Sequence, residues 1–184
     1  LVIGPNADLI PDRIAPQLAT LVSSPPTGAG WAYEIKLDGY RILARIEGGT
    51  VGLYTRNGND WTAKMPRLAS DVAGFAVKNA WLDGEVVVMG DNGIPDFNAL
   101  QNAFDGNNTD GLTYFVFDVL YLNGEDLRPL QFRQRRALLE ELFHDYSGDV
   151  RLSQTFNVDG ASMFESARRT GLEGIIAKRL DAPY

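Results

Sequence analysis

The sequence predicts an α+β fold in which antiparallel sheets are flanked by helices. In several stretches from Trp31 onward, apolar and polar residues alternate with the period of two that half-buried strands show. Helix-like stretches occur between some of these strands, but without the regular alternation that is typical of a parallel, doubly wound sheet. Short glycine turns, such as Gly48-Gly49, join neighbouring strands, and turns of this kind connect antiparallel strands. These observations together favour antiparallel sheets.

Residues 1–30 are predicted to form an arm without regular structure. Five of the nine prolines of the chain lie in this stretch, and proline removes a backbone donor that helices and sheets need. Residues 31–184 are predicted to form the folded core. The length of 184 residues fits a single domain.

The core is predicted to contain strands and helices in a definite order. Strands are expected at 31–37, 40–46 and 51–56, followed by a short helix within 62–75. The later elements, in order, are expected to be a strand at 81–89 that turns at 90–93 into a hairpin, a helix at 98–104, an interior strand at 112–122, helices at 132–143 and 159–171, and a strand at 174–180. Asp159 and Gly171 are the expected start and stop signals of the last helix.

Composition excludes several classes of function. The chain has no cysteine and a single histidine, which excludes disulfides, thiol catalysis and a metal site with several histidines. Its net charge of −7 argues against holding nucleic acid unaided, since lysine and arginine dominate phosphate binding. The longest apolar runs have about four residues, far fewer than the ~18 of a membrane helix. No signal peptide and no membrane association are expected.

The segment 34–41 contains the candidate nucleophile, Lys36. A lysine amine attacks only when it is neutral, and nearby positive charge such as that of Arg41 or a bound Mg²⁺ favours the neutral form. On spacing alone, a surface hairpin with mixed charges explains the same pattern.

Three carboxylates form a candidate cation site. Glu85 and Glu173 each stand at the start of an apolar strand, and Asp38 lies close to Lys36. Mg²⁺ prefers a few carboxylates together with water and substrate phosphate. The alternative is that each is a turn carboxylate at the solvent edge.

Other residues have two interpretations each. Phe117 lies in an apolar strand, where it is either a core residue or a stacking platform for a purine base. Arg56 ends a strand and either reaches a ribose or phosphate or simply precedes a turn. The arginines between Arg128 and Arg136 form either a solvated helix face or a phosphate contact.

Taken together, the motifs resemble the nucleotidyltransferase motifs of ATP-dependent DNA ligases. Residues 8–20 of the opening arm and residues 93–104 look most like the ligase module of bacterial end-joining DNA ligase D. The motifs that carry the resemblance, in chain order, are EIKLDGYR, TRNG, LDGEVVV, FVFDVLYLNG and EGIIAK. The resemblance implies an ATP-grasp-like nucleotidyltransferase fold with the nucleotide pocket between the sheets.

The resemblance also implies residue roles. Lys36 matches the lysine that attacks the α-phosphate of ATP, releases pyrophosphate and holds AMP as a phosphoramidate. The matched nucleotide-binding positions are Glu34, the backbone of Ile35, Arg41, Arg56, Glu85 and Phe117, the last stacking on the base. Asp38 and Glu173 match carboxylates linked to Mg²⁺ or Mn²⁺, whereas Lys178 receives no role.

The implied substrate is nicked or broken double-stranded DNA with a 5′-phosphate, in the bacterial cytoplasm and close to the nucleoid. The implied partners are fused polymerase and end-processing modules and the end-binding protein Ku. The family's later Lys-x-Lys strand and oligonucleotide-binding barrel are absent from residues 1–184, so we expect the nucleotide-pocket half of a ligase. An RNA ligase, a capping guanylyltransferase and a non-catalytic nucleotide-binding module remain open alternatives.

Overall fold

The described part of the arm, residues 10–30, has no helix or strand, as its prolines predict. The structure is a computed structural model that describes residues 10–184, and within it residues 10–30 form only turns and extended backbone. The prediction for residues 1–9 lies outside the described residues.

Two strands form a small sheet of their own. β1 (Trp31–Ile35) pairs antiparallel with β8 (Ile175–Arg179), nearly 140 residues later in the chain. The Lys36 amide extends this ladder by donating to the Gly174 carbonyl at 3.0 Å. The small sheet therefore joins the beginning and the end of the core.

The remaining strands build the larger sheet. Its six strands lie in the order β3-β2-β4-β5-β6, with β7 paired to β5. The bounds of the strands are β2 Tyr40–Glu47, β3 Thr50–Thr55, β4 Asn79–Val88, β5 Leu112–Leu122, β6 Glu125–Asp126 and β7 Arg151–Leu152. All pairs are antiparallel except β5 with β7. The predicted hairpin after β4 is reduced to one bridge, between Met89 and Pro95.

Four α-helices lie within the described residues. Their bounds are α1 Pro66–Val72, α2 Phe97–Asp105, α3 Phe132–His144 and α4 Gly160–Arg169. The helix expected within 62–75 is divided, because a 3₁₀ turn at Thr62–Lys64 precedes α1 and Pro66 begins the helix at its first position. Asp159 caps α4 by accepting a hydrogen bond from the Ser162 amide at 2.8 Å. No helix within residues 10–184 is long and apolar enough to cross a membrane.

Both faces of the larger sheet are covered. One face packs against the helices, with Ile42, Leu82 and Leu139 fully or almost fully buried. The arm covers part of the opposite face, where Ile10 and Ile14 contact a second buried cluster. The Trp81 indole donates to the Pro11 carbonyl at 2.8 Å, so the arm is fastened to the sheet by apolar contacts and a hydrogen bond.

Candidate active site

A cavity of about 750 Å³ is lined by residues of both sheets, α3, the arm and the segment after β8. The arm contributes residues 17–20, and the last segment contributes residues 182–184. All seven residues predicted for catalysis and nucleotide binding line this cavity, namely Glu34, Ile35, Lys36, Arg41, Arg56, Glu85 and Phe117. The fold therefore brings together motifs that are far apart in the sequence.

Lys36 lies at the end of β1 and its side chain reaches the cavity. Its Nζ contacts the Glu173 carboxylate, which stands just before β8. The two side chains are 43% and 41% exposed, and an ion pair this open to water contributes little to stability. The amine is thus held by a carboxylate and remains accessible to a ligand.

Arg41 is held in place by a buried carboxylate. Its Nε and Nη2 donate to the two oxygens of Asp83 at 2.5 and 2.7 Å, a bidentate pair with good directionality. The Tyr184 hydroxyl also donates to Asp83 at 2.7 Å, and it accepts a hydrogen bond from the backbone amide of Gln17 at 2.8 Å. Burial and the Asp83 charge raise the pKa of Tyr184, so its hydroxyl stays protonated as a donor. Asp83 thereby connects β2, the arm and the last segment.

Glu85 lies directly opposite Arg41 in the ladder between β2 and β4. Burial raises the pKa of Glu85 to about 7, and the nearby charge of Arg41 opposes part of this rise. Lys36 and Glu173 also act on Glu85 electrostatically, in opposite directions. This carboxyl therefore changes charge near neutral pH.

Glu34 is almost fully buried at the cavity wall, with 2% of its surface exposed. Its Oε1 accepts from Lys178 Nζ at 2.9 Å and from the Thr155 hydroxyl at 3.2 Å. Its Oε2 accepts from the Ser153 hydroxyl at 3.3 Å. The burial cost of this carboxylate is thus offset by a cation and two hydroxyls.

The sheet register explains why Phe117 lines the cavity. Val116 pairs with Gly84 and Asp118 pairs with Asp83, so Phe117 is an extra residue in β5 without a partner in β4. Such bulges bend a strand and re-aim a side chain. The Arg41 guanidinium and Lys178 Nζ each lie 4.5 Å from the ring centroid. Phe117 is therefore half-buried at the cavity wall.

The main chain of Ile35 also faces a ligand-accessible side. Tyr33 exchanges backbone hydrogen bonds with Phe156, at 3.0 and 2.8 Å. Because the direction of backbone groups alternates along a strand, the amide and carbonyl of Ile35 point to the same side as those of Tyr33. Ile35 lines the cavity, so these groups are available to a bound base.

The structure does not bring the three predicted metal carboxylates together. Asp38 is exposed in the turn after β1 and is not among the cavity-lining residues, and Glu173 instead contacts Lys36. Among residues 10–184, no group of three His, Cys, Asp or Glu side chains is placed to hold a metal ion. One or two carboxylates with substrate phosphates still match the way Mg²⁺ binds, so Glu173 fits such an ion only together with a nucleotide.

The structure bears on the two interpretations of the arginine cluster, a solvated helix face or a phosphate contact. Arg135 is 2% exposed and makes a bidentate pair with Asp118 at 2.8 and 2.9 Å. Arg136 is also buried and pairs with Glu140 at 2.7 Å. The cluster is therefore not solvated throughout, because Arg135 points inward to a buried carboxylate and Arg136 is buried beside the exposed Glu140 of the same helix.

Sequence reasoning missed several cavity residues. Asp118 and Arg135 line the cavity as a buried pair, and Tyr184 and residues 17–20 form part of its wall. The signal for Asp118 was present, because a carboxylate inside an apolar strand needs a partner. Residues 17–20 gave no such signal, since their contacts depend on the path of the arm.

Comparison with known proteins identifies the family. The family model for the ATP dependent DNA ligase domain matches residues 16–184. The chain belongs to the ATP-dependent DNA ligase family. The resemblance inferred from the motifs is thus confirmed, and the chain is the adenylation domain of a ligase.

Two curated relatives illustrate the similarity. The multifunctional non-homologous end joining protein LigD of Pseudomonas aeruginosa is 49% identical over 95% of this chain, which corresponds to 21% of that protein. The end joining DNA repair protein LigD of Mycobacterium tuberculosis strain H37Rv is 39% identical over 94% of this chain and 22% of its own length. The present chain therefore spans about a fifth of the length of each of these relatives.

A solved relative supports the fold. The structure of a mycobacterial DNA ligase D complexed with ATP and MES has a TM-score of 0.80 and 37% identity to the ligase domain. The aligned region covers 92% of the present chain and 55% of the mycobacterial chain. The predicted α+β nucleotidyltransferase architecture, with mainly antiparallel sheets and flanking helices, is thereby confirmed.

Proposed function

We propose that the ligase domain transfers AMP from ATP to a DNA 5′-phosphate by way of Lys36. Nζ attacks the α-phosphorus, so that a nitrogen–phosphorus bond forms and the bond to pyrophosphate breaks. The AMP then passes to the 5′-phosphate of nicked or broken double-stranded DNA, and the 3′-hydroxyl displaces it to seal the strand. The observation that carries this proposal is the exposed Lys36 amine at a cavity of about 750 Å³.

The cavity walls support a nucleotide as the ligand. The half-buried Phe117 ring offers a face on which a purine can stack. Glu34 and the Ile35 backbone offer polar groups for the edge of the base. Arg41 lies beside the Phe117 ring. Arg41, Arg56 and Glu85 are assigned to the ribose and phosphates.

A divalent cation, Mg²⁺ or Mn²⁺, is part of the proposal. Glu173 would hold it together with oxygens of the ATP phosphates, and the ion would supply positive charge that stabilises the charge developing on the phosphate. Asp38 stays a predicted ligand for this ion. Its exposed position predicts a smaller effect for Asp38→Ala than for Glu173→Ala on adduct formation.

The biological setting is proposed to be bacterial DNA end joining. The names of the relatives describe multifunctional end-joining proteins. We expect the ligase domain to act with polymerase and end-processing modules and with Ku, in the cytoplasm at the nucleoid.

Intact-mass measurement tests the chemistry. After incubation with ATP and Mg²⁺, the protein should gain the mass of one AMP, and Lys36→Ala should show no adduct. Lys64→Ala is the matched control, because Lys64 is exposed on the Trp61 ring outside the cavity. It should form the adduct as the unmodified domain does.

Other outcomes select the alternatives. An adduct formed from GTP but not from ATP would indicate a guanylyltransferase. Nucleotide binding without any adduct, under all metal conditions, would leave a binding module. An adduct that persists in Lys36→Ala would remove Lys36 as the nucleophile.

A further inference from the structure

The sequence motifs left Lys178 without a role, and the structure places it beside Glu34. In the small sheet, Glu34 is opposite Ile176 and Ala32 is opposite Lys178. Glu34 and Lys178 are therefore diagonal neighbours on one face of the sheet, which is within reach for long side chains. Both line the cavity, with side chains 3% and 19% exposed.

The contacts of Glu34 leave one carboxylate oxygen available to a ligand. Oε1 accepts from both Lys178 and Thr155, whereas Oε2 accepts only a 3.3 Å bond from Ser153. An ionised carboxylate has about four lone-pair sites. The Lys178 contact thus fixes which oxygen is occupied and leaves acceptor capacity on Oε2.

Lys178 is itself held by the aromatic wall of the cavity. Its Nζ lies 4.5 Å from the Phe117 ring centroid and 4.9 Å from that of Phe132. It also lies 3.5 Å from the Phe117 carbonyl oxygen. The ammonium group is therefore located between two rings and directed to Glu34, so most of its charge is already satisfied by the protein.

We propose that Lys178 is a specificity-determining positioning residue that acts on the purine base through Glu34. It orients the Glu34 carboxylate so that the free acceptor receives the exocyclic amino group of adenine. The inference rests on the proposed nucleotide function of the cavity. It assigns Lys178 to recognition of the base and not to the phosphates.

Equilibrium binding of three ligands to the Lys178→Met variant tests this assignment. Methionine keeps the length of the side chain and removes the ammonium group. We expect adenosine and ATP to bind about tenfold or more weakly, by a similar factor, because hydrogen bonds to charged groups are the stronger class. Purine riboside, which lacks the amino group, should bind the variant and the unmodified domain equally.

Two further variants separate this role from a purely structural one. Lys178→Arg keeps a cation and should restore part of the adenosine affinity. Thr155→Val removes the hydroxyl that donates to the same oxygen, and should weaken adenosine binding less than Lys178→Met without affecting purine riboside. Lys64→Met, a lysine outside the cavity, should leave all three affinities unchanged.

Two results would overturn the proposal. A loss confined to ATP, with adenosine unaffected, would make Lys178 a phosphate ligand. An equal loss for purine riboside would show a general structural effect.

If Lys178→Met does not fold, an unchanged adenosine affinity in Thr155→Val contradicts the positioning of Glu34. Failure of the proposed function is distinct, because it would appear in the unmodified domain itself, as a lack of ATP binding or of the AMP adduct.

Discussion

Three buried carboxylates share one arrangement at the level of single residues. Glu34, Asp83 and Asp118 are at most 4% exposed, and each accepts from its own cation. These cations are Lys178, Arg41 and Arg135. A buried charge without a partner is too costly to retain. Glu34 and Asp118 line the cavity together with their partners, so this part of its wall combines charged groups with little net charge.

Glu85 differs from these three, and this predicts a pH dependence of stability. Burial raises its pKa from 4.5 to about 7 in the folded protein. Between pH 4.5 and 7 the folded protein therefore binds a proton at Glu85 that the unfolded chain does not bind. The stability that Glu85 contributes to the free energy of unfolding decreases as pH rises through this range. The shift corresponds to at most about 3 kcal/mol.

Urea unfolding of Glu85→Gln between pH 4.5 and 8 checks this. Because glutamine stays neutral, the variant should gain stability relative to the unmodified domain as pH rises. A difference between the two proteins that is constant with pH would contradict a raised pKa for Glu85. Glu141→Gln, at an exposed position on α3 without an ion pair within residues 10–184, is the control and should not gain stability relative to the unmodified domain as pH rises.

Single residues also mark the limit of sequence reasoning. Lys36 and Glu85 were predicted because they were expected at strand ends near glycines, whereas the structure places Glu85 inside β4. For Arg135 the sequence left a solvated helix face and a phosphate contact open, because an arginine in a helix usually faces water. Its inward direction depends on Asp118, which lies 17 positions earlier and meets it only in the folded structure.

The arm is the element that sequence described least well. Its prolines predicted the lack of regular structure, but not that Ile10 and Ile14 pack on the sheet or that residues 17–20 line the cavity. The strands β6 and β7 were missed because two residues are too few to show alternation. The long strands and the helices were predicted because their apolar periodicity extends over many residues.

The packing of the arm predicts a local effect of Ile14→Ala. Ile14 is 5% exposed against the larger sheet, and removal of a buried isoleucine side chain usually costs about 2–5 kcal/mol. Because only the arm loses its contact, we expect faster amide hydrogen exchange in residues 10–20 and weaker ATP binding, with β4 and β5 still protected.

Leu21→Ala is the matched control, because Leu21 lies on the same arm and is 98% exposed. It should change neither exchange nor ATP binding. Equal exchange rates in Ile14→Ala and the unmodified domain would mean that the arm is not held by this contact.

At the scale of the whole molecule, the net charge of the chain can be compared with the ion pairs of the cavity. The net charge of −7 suggested a small ligand, and the cavity agrees, since many of its cations are already paired with carboxylates. Arg56 is the exception among the named cavity cations, because it is exposed and no ion pair involves it within residues 10–184. Arg56 therefore lines the cavity as a cation whose charge is open to an anionic ligand.

Arg135 contacts residues from several parts of the molecule. From α3, its guanidinium pairs with Asp118 of β5 and donates to the Leu130 carbonyl at 2.6 Å. It also lies 5.6 Å from the centroid of the Tyr184 ring. The larger sheet, α3 and the segment after β8 are thus connected through one buried side chain.

Arg135→Met should therefore destabilise the whole domain. Loss of one partner leaves Asp118 buried with an uncompensated charge, which typically costs about 3–5 kcal/mol. The double variant Asp118→Asn/Arg135→Met should lose less stability than the sum of the single variants, because neither charge then remains unpaired. Chemical unfolding followed by tryptophan fluorescence measures both effects. Arg168→Met, which breaks an exposed ion pair with Glu165 on α4, should leave the stability nearly unchanged. Strictly additive losses in the double variant would show that Arg135 stabilises the domain by packing and not through Asp118.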